Sequence, residues 1–189
     1  MPLLFGYTGI ESPRDCNCFP LGNNFGRETL MRAFDFSAFT AVETTPSNFL
    51  ERSEPTLLIL PPNLKTISSG AFNNATLNIK VEFPEGFTST IGGNCFWDVR
   101  GNTTVIFPSS TTSLAGGGNF AYIRYGSPKF IVLALTPPPI TKSSYISASS
   151  YYKTQFYVPD AAFEVYKQAD VWSDYYSYGR VHPLSELED

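Results

Sequence analysis

The sequence predicts a repeat solenoid, a stack of short coils that each contribute one strand to a single parallel sheet of about five to six strands. Three observations carry that expectation. Prolines that close apolar segments, Pro61, Pro84 and Pro108, stand 23 and 24 residues apart. Phenylalanines at the far end of the same units, Phe72, Phe96 and Phe120, stand 24 and 24 apart, so two independent landmarks share one period. The third observation is the form of the unit, LLILPPNLKTISSGAF at residues 57–72: an apolar strand, a proline stop, a turn, then an apolar-x-x-x-Ala-Phe segment that returns a ring to the core.

One such unit cannot fold alone. It buries about five apolar side chains at roughly 1.5–3 kcal/mol each, while ordering its backbone costs roughly 1–2 kcal/mol per residue. Stacking removes the deficit, because each neighbour covers the open face of the last. Proline has no N–H to give a ladder, which explains its place at each strand boundary. The strands are then expected about 4.8 Å apart.

Residues 1–29 lack the repeat and are rich in Gly, Pro and Asn. They are expected to form an irregular arm or cap over the first coil, with residues 16–20 as a degenerate strand. The solenoid occupies residues 30–158. Its first copy, AFDFSAFTAVETTPSNF, puts Phe36, Val42 and Phe49 at the places of Leu60, Ile67 and Phe72. After the template come IKVEFPEGFTSTIGGNCF, with Ile91 matching Ile67, and TTVIFPSSTTSLAGGGNF, whose Ala-Gly-Gly-Gly marks a turn needing permissive backbone. A fifth strand at residues 130–135 is apolar on both faces, as in a strand buried on both sides, and three prolines at 137–139 stop it. Residues 141–154, rich in Ser and Tyr, read as an exposed loop. The last strand, Gln155–Val158, leads into a capping helix and tail at residues 159–189. Asp160 is its expected N-cap. Phe163, Tyr166 and Ala169 share a face that lids the last coil, and Trp172 completes the seal.

The repeated pattern apolar-x-(Leu/Phe)-Pro, then Leu/Ile, then Ala/Cys/Asn-Phe closely resembles the Treponema-type or BspA-type leucine-rich repeats. The segment LALTPPP strengthens the resemblance, as does FYVPDAAFEVYKQADVWSDY, with Val158, Pro159, Tyr166 and Trp172 at the places of that family's terminal module. It covers residues 34–184 and is specific for fold, not for activity. It implies a right-handed leucine-rich-repeat superhelix with one parallel sheet, an irregular or short-helical convex side and a C-terminal capping helix. It also implies a surface setting, since such proteins are typically adhesins or surface antigens.

At 189 residues the chain is long enough for one domain with a substantial core. Charged residues make up 16%, the net charge is −4 and the pI is near 5.0, which gives no footprint for nucleic acid. No run of 18 apolar residues is present to insert in a membrane. The first residues lack the basic start and apolar run of a secretory signal. An extracellular or cell-surface location then implies a removed leader or another export route.

Catalytic patterns are few. The single histidine, His182, has no partner in a nucleophile turn and reads as a surface or packing residue. Glu82 with Glu85, and Asp170 with Asp174, lack a substrate cleft and read as solvated charges. Gly116 to Gly118 lacks the Lys-Ser/Thr of a phosphate loop. Asn74-Ala75-Thr76 and Asn102-Thr103-Thr104 match the N-glycosylation pattern, which has meaning only in a eukaryotic secretory setting. Cys95 fills the slot of Ala71 and reads as a buried thiol. Cys16 and Cys18 lack further ligands at metal spacing, so neither metal nor cofactor is expected.

The expected function is therefore a non-catalytic surface recognition module for a protein or glycan. Strand alternation puts Asp35, Ile59, Glu82, Ile106 and Tyr157 on the outer face of the sheet, where they form one candidate surface. Ten of the eleven tyrosines lie from Tyr122 onward. Tyr145, Tyr151 and Tyr152 in the Ser-rich loop form a second candidate surface, because Tyr among Ser suits adaptable binding. The alternative, from the missing signal and the non-repeat arm, is a structural or receptor-binding component of a phage virion. An enzyme ranks last. An open terminal edge is either capped or shared, which leaves an oligomer through that edge open.

Overall fold

The computed structural model describes residues 25–27, 32–88, 92–117, 119–120, 123, 125–141 and 154–188. Among the described residues seven strands follow in order: β1 (Ala33–Asp35), β2 (Leu57–Ile59), β3 (Lys80–Glu82), β4 (Thr104–Phe107), β5 (Lys129–Val132), β6 (Gln155–Val158) and β7 (Val181–Pro183). Between the last two come a 3-10 turn, Asp160–Ala162, and helices α1 (Phe163–Gln168) and α2 (Trp172–Ser177). Every strand pairing is parallel, and the chain forms a solenoid of about five turns.

The strand register repeats the sequence period. Phe34 pairs with Leu58, Val81 with Val105, Phe130 with Phe156, and Phe156 with Val181. These side chains are buried, as are the second inward row Phe36, Leu60, Phe83, Phe107, Val132 and Val158. The far ends of the coils form a continuous column of rings. Phe49 meets Phe72 edge-on at 5.8 Å, and Phe72, Phe96 and Phe120 stack at 5.4 and 5.5 Å. Phe25, in the stretch expected as an arm, stacks on Phe49 at 6.0 Å and begins the column. Each ring pair adds roughly 0.5–1.5 kcal/mol beyond its buried area.

The convex side carries turns in place of helices. Gly70, Phe72 and Asn74 donate to the carbonyls of Gly93, Cys95 and Trp97 one coil further on. The turns need left-handed backbone, and Asn48, Gly70 and Asn94 supply it with φ of 56°, 73° and 57°. Rung-to-rung hydrogen bonds therefore run along the turn side as well as the sheet.

The sheet itself is not single, contrary to expectation. β1 and β2 form one pair, β3 to β7 form a five-stranded sheet, and no ladder joins β2 to β3. The coil stays continuous there because the turn-side bonds from Gly70, Phe72 and Asn74 span that same junction. Leu58 and Leu60 retain 7% exposure at the opening, whereas Val105 and Phe107 retain none.

The terminal module differs in two respects from one capping helix with an Asp160 cap. It has two short helices joined through Val171 at φ 62°, and the chain then returns as β7 beside β6. No side chain caps either helix, and Asp160 lies inside the 3-10 turn with Pro159 before it. Its carboxylate instead accepts from the N–H of Ser185 at 3.1 Å and from the Ser185 hydroxyl. The returning strand brings both donors to one acid, a better set than the first-turn N–H groups alone. The lid does close the stack. Tyr166, Trp172 and Tyr175 are buried, Tyr166 Oη donates to the Ala134 carbonyl and Trp172 Nε1 to that of Pro138, both at 2.8 Å.

Among the described residues no helix is long and apolar enough to cross a membrane. The Ile91 match, Cys16, Cys18 and most of the expected arm lie outside the described residues.

Candidate functional site

Parallel pairing with an inward row buried leaves the alternate residues on the outer face. In the five-stranded sheet the register aligns Glu82, Ile106, Ile131, Tyr157 and His182 in one row across β3 to β7. Asp35 and Ile59 are paired in the same way on β1 and β2. The structure thus brings Glu82, Ile106 and Tyr157 into one line and places Asp35 and Ile59 on the smaller sheet.

Their environments differ. Asp35 is exposed, and the Ser37 hydroxyl and N–H hold its carboxyl below the usual value; that N–H lies 2.9 Å from Oδ1. This is a local turn contact. Ile59 is 40% exposed and its neighbour Leu57 46%, so the aliphatic surface at β2 is open. Glu82 is exposed and ion-paired with Lys80 on its own strand. Ile106 is half-buried. Tyr157 is half-buried, with its ring stacked 5.3 Å from the His182 imidazole.

The opening between β2 and β3 forms a concavity of about 450 Å³. Ile59, Ile106 and Leu133 supply apolar walls, while Lys80, Glu82 and Glu85 stand at its charged rim. Pro84 and Pro108 also line it, which gives the proline stops a second consequence. A smaller hollow of about 360 Å³ lies at the lid beside Pro137, Val165 and Ala169.

Sequence reasoning missed two members of the row. Ile131 was expected to be buried within a strand covered on both sides, and at 5% exposure it is; its register on the outer row is the new information. His182, which reads from the sequence as a surface or packing residue for want of a nucleophile partner, stands in β7 beside Tyr157, and nothing in VHP signals that strand. Tyr145, Tyr151 and Tyr152 lie outside the described residues. Of the later tyrosines, Tyr175 is core and Tyr176 and Tyr178 are exposed.

Elsewhere the groups are occupied structurally. Cys95 is buried, its Sγ donates to the Ser68 and Gly92 carbonyls at 3.0 and 3.1 Å, and burial pushes the thiol up to about 12. Such a thiol is a poor nucleophile, since the thiolate is the reactive form. Among the described residues no three His, Cys, Asp or Glu converge as a metal set. What the outer face offers chemically is a rigid aliphatic stripe, rimmed by charge and closed at one end by an aromatic stack. No protein-family model and no curated protein matches the chain.

Proposed function

We propose that this chain is a non-catalytic recognition module that grips a protein or glycan chain along the outer face of its sheet. The observation that carries the reading is the exposed aliphatic surface at Ile59, continued by Ile106 at the concavity and aligned with Ile131 and Tyr157 on hydrogen-bonded strands. A repeat stack holds such a surface rigid and extended, so little ordering entropy is lost on binding. The resemblance to BspA-type leucine-rich repeats supports an adhesin-like role at a bacterial surface.

The double variant Ile59→Ser, Ile106→Ser tests it in capture on glycan and bacterial-surface arrays. Removing two aliphatic contacts is expected to weaken capture about tenfold or more; because Ile106 is half-buried the melting temperature falls modestly, and capture is compared at a temperature where both proteins are folded. Equal capture by the variant would refute this face as the binding surface. Tyr151→Ser with Tyr152→Ser is the parallel test of the loop; a selective loss there would move the site to the tyrosines.

A further inference from the structure

The segment that follows β7, residues 184–188, is fastened to the outer face by contacts that do not belong to the coil repeat. The His182 Nε2 faces Gln155 Oε1 at 2.8 Å, and its Nδ1 faces the Glu186 carboxylate at 3.3 Å. Lys129 on β5 donates from Nζ to the carbonyl of Glu188. Asp160 holds Ser185 through both its N–H and its hydroxyl. Because β6 lies between β5 and β7, bonds from this segment to His182 and, two residues later, to Lys129 link the two strands that flank β6 on the side of Tyr157. Two further facts agree. Burial, then the carboxylates of Glu188 and Glu186, hold the Tyr157 phenol above its ordinary value. Ile131 is 5% exposed on the same outward row whose counterpart Ile59 is 40% exposed.

We infer that residues 184–188 form a strap over the Tyr157 end of the outer face and that His182 is its latch, closed when the imidazole carries two protons. The regulatory meaning rests on the outer face being the binding surface; the strap and latch do not. Both ring nitrogens face an oxygen acceptor, and a neutral imidazole has only one N–H to offer. Protonation supplies the second donor and makes the bond to Glu186 charge-assisted. Imidazole is the side chain that changes charge between about pH 5 and pH 8. The titratable groups facing the ring are Tyr157 from β6 and Glu186 from the strap; Lys129 and Glu188 are bonded to each other at the strap's far end. Gln155 is uncharged. α1 and α2 meet β7 from the side of buried Val181, and Lys167 of α1 is taken up by Glu164. With two protons on the ring the strap is closed and the open stripe ends near Ile106. With one proton lost it loosens and the stripe extends to Tyr157.

The test is an NMR titration of the full chain from about pH 5 to pH 8, following the His182 Cε1 proton and the amide signals of residues 185–188. The strap signals should share the midpoint of His182, with the released fraction rising up to about fivefold, the size set by a partly exposed ion pair. Glu186→Gln should abolish the shared midpoint while the Phe130 and Val158 amides keep their positions. Lys129→Met, which removes the far anchor, should shift the strap signals toward the released position at both ends of the range. Strap signals indifferent to the His182 titration, unchanged coupling in Glu186→Gln, or an unaltered strap in Lys129→Met would each overturn the inference. No partner enters these measurements, so a failed strap and a failed binding face give separate results.

Discussion

Phe96→Ala is the sharpest perturbation of the stack. The Phe96 ring is fully buried and meets four others: Phe72 at 5.4 Å, Phe120 at 5.5 Å, Phe130 at 5.6 Å and Phe107 at 6.0 Å. Truncating a core Phe typically costs about 3–5 kcal/mol, and four ring neighbours place this one in the upper part of that range, about 4–5 kcal/mol. For a chain of this size that is a fall in Tm of about 8–20 °C. Urea denaturation read by far-UV circular dichroism and by fluorescence of Trp97 and Trp172 measures it. The two tryptophans lie in a middle coil and in the terminal lid, so they report different parts of the stack. Both probes should shift together if coupling between coils keeps unfolding cooperative. Phe96→Leu, which keeps most of the volume, should lose less than half as much. A loss below about 1.5 kcal/mol for Phe96→Ala would mean that the column does not hold the coils together.

Three further outcomes are expected. Tyr166→Phe leaves the Ala134 carbonyl without its donor and should destabilise by about 1–3 kcal/mol in the same urea assay. Gly101→Ala should be worse tolerated than an average surface change, by more than about 2 kcal/mol. Gly101 has φ 91°, and an added Cβ would lie 2.3 Å from the Leu77 carbonyl oxygen, where backbone and not a flexible side chain must yield. Cys95 should resist alkylation in the native state at about pH 8 and react once unfolded, as mapped by mass spectrometry. Its thiol is raised from 9.0 to about 12, so its contribution to stability is complete below pH 9 and lost as pH rises toward 12. Stability from urea denaturation should therefore drop between about pH 9 and pH 12, by up to about 1.4 kcal/mol per pH unit from this group. Tyr166 and Tyr175, also raised by burial, act in the same direction. Cys95→Ala should show a smaller alkaline drop.

Much of the coil was legible in the chain. Pro61, Pro84, Pro108 and the Phe72, Phe96, Phe120 series predict one strand per coil and a column of rings, because a period of 23–24 residues in two landmarks leaves little other packing open. The inward rows were legible for the same reason, since alternation puts Leu58, Val81 and Val105 on one side of their strands. Phe25 was missed because the Gly- and Asn-rich surroundings conceal a ring 24 residues before Phe49. Asp160 was misread because local spacing favours an N-cap, whereas Ser185 arrives from 25 residues away with two donors.

The amino-acid order by itself determined the repeat, the parallel coil and which side of each strand enters the core, since these follow from local periodicity and the gain from stacking. Only the tertiary structure decided that the sheet opens between β2 and β3, that VHP becomes a strand, and that residues 184–188 bond to His182, Asp160 and Lys129. Those features depend on contacts between segments far apart in the chain, such as Lys129 with Glu188 and Gln155 with His182. No periodicity encodes them, because each is made once.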